Sequence, residues 1–315
     1  MRLRARGFDA RLIGVSWDDR ILHGDAFDLL GSIAPRTVDL VVTSPPYWGM
    51  RTYGLAHAGD TRARWLAAGG TDDPGPDYAW YRAAGGALGM EPIPGWFIRH
   101  LVEIFDRLIP ALKPTASVWV NLGDTYFSRG SGIRDQGRRG LAGPLRLRRY
   151  APPGGYRHEK QLLLVPARFA ISMQDAGWVL RNDLIWSKPN PAPDGARDRL
   201  SLSHEHLFHF VRRTPGRRPT YYYDRTRAEP AARDVVEVAV SPGANGHTAT
   251  FPEDLIRPRI LSSSPPGGVV LDPFCGTGRT LVLAAEEGRQ AIGIELSPAF
   301  CPQAGSGRRP AARGR

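Results

Sequence analysis

The sequence predicts an α/β fold with a mainly parallel sheet. Three observations predict it. Short apolar, β-branched runs recur along the chain, stretches with helical apolar spacing lie between them, and two runs end abruptly in Pro- or Gly-rich turns.

Taken in order, residues 20–30 read as a short strand, a turn at Gly24-Asp25 and a helix. Residues 38–43 (VDLVVT) form a continuous apolar run, the pattern of a parallel strand buried on both faces, and they stop at Ser44-Pro45-Pro46. Residues 54–91, rich in Gly, Ala and Pro, read as an insertion or a mobile loop. Residues 94–112 set Phe97, Leu101, Ile104, Phe105 and Leu108 at helical spacing, and 117–122 (SVWVNL) read as another buried strand. A basic, Gly-rich loop follows at 126–157, then a helix at 161–176 and a strand at 178–186 that Pro189, Pro191 and Pro193 terminate. Residues 190–246 carry polar and aromatic segments, including Tyr221-Tyr222-Tyr223, and read as a second subdomain. The last units are a helix at 251–262, a strand at Val269–Leu271, a loop at Asp272–Thr277, a helix at Arg279–Glu287 and a strand at Ala291–Glu295.

With 315 residues and 42% hydrophobic content, the chain can bury a sizeable core. No apolar run reaches the roughly 18 residues of a membrane span, and no apolar core follows the basic residues Arg2, Arg4 and Arg6, so a soluble cytoplasmic protein is expected. Two cysteines, Cys275 and Cys301, exclude a disulfide scaffold and an all-cysteine zinc site. The formal net charge is +11, and it is concentrated. Seven arginines against Asp135 lie between Tyr126 and Tyr150, and four more without an acid lie in the last fifteen residues. A basic segment on a nearly neutral body fits a polyanion surface, and a solvated loop in an arginine-rich protein is the alternative.

Two segments carry chemistry. In Asp272-Pro273-Phe274-Cys275-Gly276-Thr277-Gly278, a strand feeds a Gly-x-Gly turn that opens a helix, and the next strand ends in Glu295. Such glycines admit a ligand close to the backbone, and an acid at the second strand tip can hold ribose hydroxyls. A dinucleotide fingerprint needs glycine where Leu281 stands, and a phosphate loop needs lysine where Arg279 stands. A nucleoside ligand without a cradled phosphate fits better. Cys275 within this loop reads as a small packing residue. The second segment, Ser44-Pro45-Pro46-Tyr47, follows a buried strand directly. Its prolines stiffen the loop, so the Ser44 hydroxyl and the Pro45 carbonyl can both accept from one amino group while Tyr47 stacks on a flat ring. His204-Glu205-His206 with His209 could suggest a metal cluster, but His204 and His206, at i and i+2, do not share a helix face, and no metal site is expected.

Together these segments resemble the DNA amino-methyltransferases, which transfer a methyl group from S-adenosyl-L-methionine to cytosine N4 or adenine N6. The catalytic motif at 44–47 precedes the cofactor motif at 272–278, a circularly permuted order that resembles the β group of that family. Gly24-Asp25, Asn121-Leu122-Gly123-Asp124, Ile185-Trp186-Ser187-Lys188-Pro189-Asn190 and His247-Thr248-Ala249-Thr250-Phe251-Pro252 look like further motifs of the family in their expected order. The resemblance covers about residues 20–298.

It implies a doubly wound, mainly parallel sheet of the methyltransferase type with an inserted DNA-recognition region. Residues 20–189 would be the catalytic half, 190–246 the target-recognition region, 247–298 the cofactor half, and 299–315 a basic, disordered tail. The strands ending at Thr43 and Leu271 should lie side by side. Asp25 would contact the cofactor adenine, Glu295 its ribose, Phe251 its flank, and Asp272, Pro273, Phe274, Gly276 and Gly278 its methionine end. Ser44, Pro45, Pro46 and Tyr47 would hold the flipped base, with Arg134, Arg138, Arg139 and Lys188 on DNA. Ser44 favours cytosine N4, because Asp or Asn is commoner at that position among the adenine enzymes. Adenine N6, a catalytically degenerate DNA-binding homologue, and RNA or a protein amide as substrate stay open. A nicotinamide oxidoreductase is disfavoured by Leu281. Implied partners are double-stranded DNA, a cognate restriction endonuclease and a second copy of the chain.

Overall fold

The computed structural model describes residues 21–49, 55–127, 154–191, 194–214, 216–228, 233–240 and 252–297. Among them eight strands form one sheet: β1 Ile21–His23, β2 Val38–Thr43, β3 Leu112–Leu122, β4 Val179–Ser187, β5 His204–Val211, β6 Val235–Glu237, β7 Val269–Asp272 and β8 Gln290–Glu295. Their order across the sheet is β1-β8-β7-β2-β3-β5-β4-β6. Every pairing is parallel except those of β5, which runs antiparallel to both β3 and β4.

The helices are α1 Ala26–Leu29, α2 Thr61–Ala67, α3 Tyr78–Ala83, α4 Pro94–Asp106, α5 Val165–Asp175, α6 Glu253–Ser263 and α7 Arg279–Glu286. Side chains alternate across a strand, so a strand buried on both faces feeds two cores. On β2, Val41 joins one core, which includes residues of α1, α3, α4 and α5. Leu40 and Val42 join the other, which includes residues of α6 and α7. The same alternation places Val118 and Val120 in the first core and Trp119 in the second. This is the mainly parallel α/β arrangement that the strand pattern predicts, doubly wound as the family resemblance implies.

β2 and β7 lie side by side in parallel register, Leu40 opposite Val270 and Val41 opposite Leu271. Their tips are joined through Asp272, which is 2% exposed. One carboxylate oxygen, Oδ1, accepts from the Thr43 hydroxyl at 2.6 Å and from the Phe274 amide at 3.1 Å. The other accepts from the Thr280 hydroxyl at 2.8 Å. One side chain thus ties together two strands, the loop between β7 and α7, and the first turn of α7. Burial pushes the Asp272 carboxyl up to about 6, against the opposing effect of these donors.

Two expectations need correction. Residues 54–91 are not a loop throughout: α2 and α3 lie within them, and Tyr78 and Tyr81 are almost wholly buried. Helices of seven and six residues are too short to show a period in sequence or to form alone in water. What makes α3 is burial of Tyr78 and Tyr81, roughly 1.5–3 kcal/mol for each large side chain, together with the Asp77 cap, which accepts from the Trp80 amide at 2.7 Å. The described residues of 190–246 do not form a separate subdomain either. β5 lies inside the sheet between β3 and β4, and β6 extends the sheet beyond β4. Polar residues at the start of β5 disguised it, because that end of the strand is half-buried or exposed while Leu207–Val211 is buried.

Asp272 generates a prediction about stability. Its carboxyl titrates at about 6 in the fold and at 3.8 when unperturbed. The folded state therefore binds more proton between these values, so this residue's contribution to stability is fully present below 3.8 and is lost as the pH rises through about 6. Asp272→Asn, which keeps the shape and two-sided hydrogen bonding, should flatten the wild-type fall in stability between about pH 4 and 6, read by urea unfolding. Asp272→Ala should cost about 2–4 kcal/mol at neutral pH, because it strands buried donors and leaves a void.

Candidate active site

The glycine loop lies at the carboxyl tips of β7 and β8. Gly278 stands at the N-cap of α7 with φ 79°, in the left-handed region where a Cβ is costly, so the chain reverses there without strain. Hydrogen bonds fix the loop: the Cys275 amide donates to the Ile294 carbonyl at 3.0 Å, and the Gly278 amide to the Cys275 carbonyl at 2.8 Å. Cys275 is buried, with its Sγ against Gly293, as a packing residue should be.

Glu295 ends β8 beside this loop. Its carboxylate accepts from the Gly276 amide at 2.8 Å and from the Ser297 amide at 2.7 Å, while burial pushes its carboxyl up. Asp25 lies on the next strand tip, since β1 pairs with β8 and the Gly24 amide donates to the Glu295 carbonyl at 2.9 Å. Asp25 caps α1 by accepting from the Phe27 amide at 2.8 Å. Its other oxygen accepts from the Tyr78 hydroxyl at 3.1 Å and faces the Arg82 guanidinium at 3.2 Å. Burial, then the charge of Asp25, pushes the Tyr78 phenol well up, so it stays a donor at neutral pH.

Ser44–Tyr47 leaves the tip of β2, directly after the Thr43 that bonds to Asp272. Ser44 is half-buried and Pro45 buried. The Tyr47 hydroxyl lies 2.6 Å from Glu205 Oε2 and 3.1 Å from Asn121 Oδ1, and it accepts from Ser44 Oγ at 3.5 Å. Lys188 forms an ion pair with the second oxygen of Glu205 and stands 4.4 Å from the centre of the Trp186 ring. Gly123 leaves room for this cluster: a Cβ there would come within 2.8 Å of Tyr47 Cε2 and 3.3 Å of Glu205 Cδ. The loop is braced from behind. The Trp48 indole donates to the Glu91 carbonyl at 2.8 Å, and the buried Glu91 carboxylate faces His100 Nδ1 at 3.0 Å.

The structure therefore gathers Asp25, Asp272, Pro273, Phe274, Gly276, Gly278 and Glu295 on one side of a shared sheet edge and Ser44, Pro45, Pro46 and Tyr47 beside them. Asp272 sits under the loop with both oxygens engaged, as the brace between the two halves rather than as a group presented on their surface. Lys188, expected on DNA, instead turns toward Glu205 with its side chain 16% exposed, because a carboxylate lies within reach across the β4–β5 pair. Phe251, Arg134, Arg138, Arg139 and the tail 299–315 lie outside the described residues. His206 faces Asp183 at 2.9 Å, while His209 packs flat on Trp119, with burial pushing its imidazole down to about 3. Sequence reasoning missed Tyr78, Arg82, Glu91 and Glu205 as site residues. Only Glu205 carried a signal: an acid just before the apolar run Leu207–Val211, on a strand that enters the sheet from the site edge.

Comparison with known proteins identifies the family and the fold. The family model described as DNA methylase, of the N6/N4 type, matches residues 38–306. The type II methyltransferase M.Cfr9I of Citrobacter freundii is 35% identical over 288 residues, covering 89% of this chain and 84% of that protein. The type II methyltransferase M.SmaI of Serratia marcescens is 34% identical over 291 residues, covering 89% and 87%. Among solved structures, PvuII DNA methyltransferase (cytosine-N4-specific) is similar in fold with a TM-score of 0.63, 18% identity and coverage of 92% and 86%. A Thermus thermophilus protein solved in complex with S-adenosyl-L-methionine has a TM-score of 0.54 with 24% identity, covering 90% of each chain. The chain belongs to the DNA methylase family of N4/N6 amino-methyltransferases.

Proposed function

We propose that this protein is a site-specific DNA methyltransferase that uses S-adenosyl-L-methionine and methylates the exocyclic amine of a flipped base, cytosine N4 in preference to adenine N6. The observation that carries the reading is the Thr43–Asp272 hydrogen bond of 2.6 Å, which ties the amine-binding loop of β2 to the nucleoside loop of β7. A base and a nucleoside cofactor held at adjacent parallel strand tips sit at the place where open α/β sheets bind ligands.

The donor set fits the cofactor: a left-handed glycine turn for close backbone approach, Glu295 for the ribose hydroxyls, and Asp25 for the adenine amine. S-adenosyl-L-methionine, when bound, supplies an electrophilic methyl group. The chain's own residues do the rest. Tyr47 stacks on the base, whose extraction from the duplex costs a few kcal/mol. Ser44 Oγ and the Pro45 carbonyl accept from the amine, localise its lone pair on nitrogen and orient it. No covalent bond to the protein is required, so the rate comes from positioning and fixed polar groups.

Serine at 44 supports cytosine N4, as does the cytosine-N4 specificity of the PvuII enzyme. Duplex DNA is the proposed substrate, with the arginines of 128–149 on phosphates. The base-reading role of 190–246 narrows to the parts outside β5, since β5 is committed to the sheet. A cognate restriction endonuclease and a homodimer belong to the same proposal. No helix among the described residues is long and apolar enough to cross a membrane.

Nucleoside mass spectrometry after incubation with S-adenosyl-L-methionine and unmethylated duplex DNA should reveal N4-methylcytosine. N6-methyladenine would keep the chemistry and overturn the base assignment. Ser44→Ala should lower methyl transfer roughly 10²–10³-fold while cofactor affinity by calorimetry stays unchanged; full activity would remove Ser44 from the mechanism. Glu295→Ala should weaken cofactor binding about 10–100-fold, as expected for losing hydrogen bonds to a charged group.

A further inference from the structure

We propose that Glu205 is a positioning residue for methyl transfer: anchored by Lys188, it clamps the Tyr47 hydroxyl and so sets the orientation of the ring that receives the target base. The inference rests on the proposed function and deepens it, because it adds to the site a side chain that comes from a different part of the chain.

Tyr47 has one hydroxyl proton and two acceptors facing it. Glu205 Oε2, at 2.6 Å, is closer than Asn121 Oδ1, at 3.1 Å, and it belongs to a carboxylate. The charge-assisted bond is the stronger, so the proton points to Glu205. Asn121 is itself held, its Nδ2 donating to the His206 carbonyl at 3.0 Å, which turns its oxygen toward Tyr47. The second Glu205 oxygen is taken by Lys188, whose ammonium also stands 4.4 Å from the centre of the Trp186 ring. With side chains 16% and 15% exposed, this pair is screened far less than a surface ion pair.

The backbone is shaped for the same contact. Because β5 is antiparallel to its neighbours, its first residues lie at the edge where β2 and β3 end, with Glu205 opposite Trp186 and His206 opposite Leu122. Gly123 then follows β3 with no side chain, where a Cβ would collide with Tyr47 and crowd Glu205. A tyrosine ring turns about two side-chain bonds. The loop fixes its root, and Glu205 fixes its far end. Methyl transfer needs a planar base presented at a defined angle, and small misplacements of a reacting group are costly in rate. A strut that merely joined β4 to β5 would not require the Tyr47 hydroxyl.

The test is a double-mutant cycle on the full-length protein with S-adenosyl-L-methionine and unmethylated bacterial genomic DNA, reading methylated nucleoside formed per minute at saturating substrates. Glu205→Gln and Tyr47→Phe should each lower kcat about 10–100-fold, with the cofactor Kd by calorimetry unchanged. The double variant should be no slower than the slower single one, because both remove the same clamp. Additive losses, or a Glu205→Gln enzyme with wild-type kcat, would overturn the proposal. If Glu205→Gln does not fold, Glu205→Asp keeps the charge toward Lys188 while drawing the carboxylate away from Tyr47. The same loss of kcat is expected there, and a wild-type kcat overturns the clamp. Wild-type protein that binds the cofactor yet forms no methylated nucleoside would instead refute the proposed function, so the two failures are distinguishable.

Discussion

A single buried carboxylate sets the geometry on which the rest of the site depends. Asp272 accepts from Thr43 on β2, from the Phe274 amide in the glycine loop and from Thr280 on α7. These donors offset part of the cost of burying it, and the part they do not offset appears as its raised carboxyl value. The residue that begins the glycine loop after β7 and the residue before the Ser44–Tyr47 loop are thereby held within one hydrogen bond of each other. Neither loop can shift along its strand without stranding a buried polar group.

Around that link, the sheet edge collects charged and polar side chains that are already engaged before any ligand arrives. Glu295 is oriented by backbone amides, Asp25 by the α1 amide, Tyr78 and Arg82, and Glu91 by the Gly89 amide and His100. Each would be costly if left unpaired at such burial. Paired, each is a fixed dipole or charge that needs no reorganisation when a substrate binds. The price of this rigidity is visible in the elements devoted to it: α3 exists largely to carry Tyr78 and Arg82 to Asp25, and residues 89–91 close over the back of the Ser44 loop through Trp48 and Gly49.

The reversed strand β5 divides the labour of the sheet. Parallel strands deliver their carboxyl ends to the site edge, which suits loops that must leave the sheet and bind ligands. An antiparallel strand delivers its amino end there, and with it residues that the chain places far from Ser44–Tyr47. Glu205 reaches Tyr47 across a sequence separation of 158 residues by this route.

Much was legible in the sequence because the physics that decides it is local. A continuous β-branched run stopped by Ser44-Pro45-Pro46 can only be a buried strand feeding a stiff loop, and β2 with its tip matches that reading. The same holds for β7, its Gly-x-Gly turn and α7, where chain reversal depends on residues a few positions apart. From these the α/β class and the motif order followed, and the family resemblance that the motifs carry implied the adjacency of the two loops. Tertiary structure alone decided the rest. Helices of one or two turns leave no period in sequence: α3 forms only once Tyr78 and Tyr81 have a core to enter, and α2 is just as short, so both read as loop. The place of β5 within the sheet depends on hydrogen bonds to β3 and β4, which lie up to about a hundred residues away and leave no trace in local spacing. The inward turn of Lys188 was hidden for the same reason: whether a lysine faces phosphate or carboxylate is set by what packing brings beside it, and Glu205 is brought there by the pairing of β4 with β5.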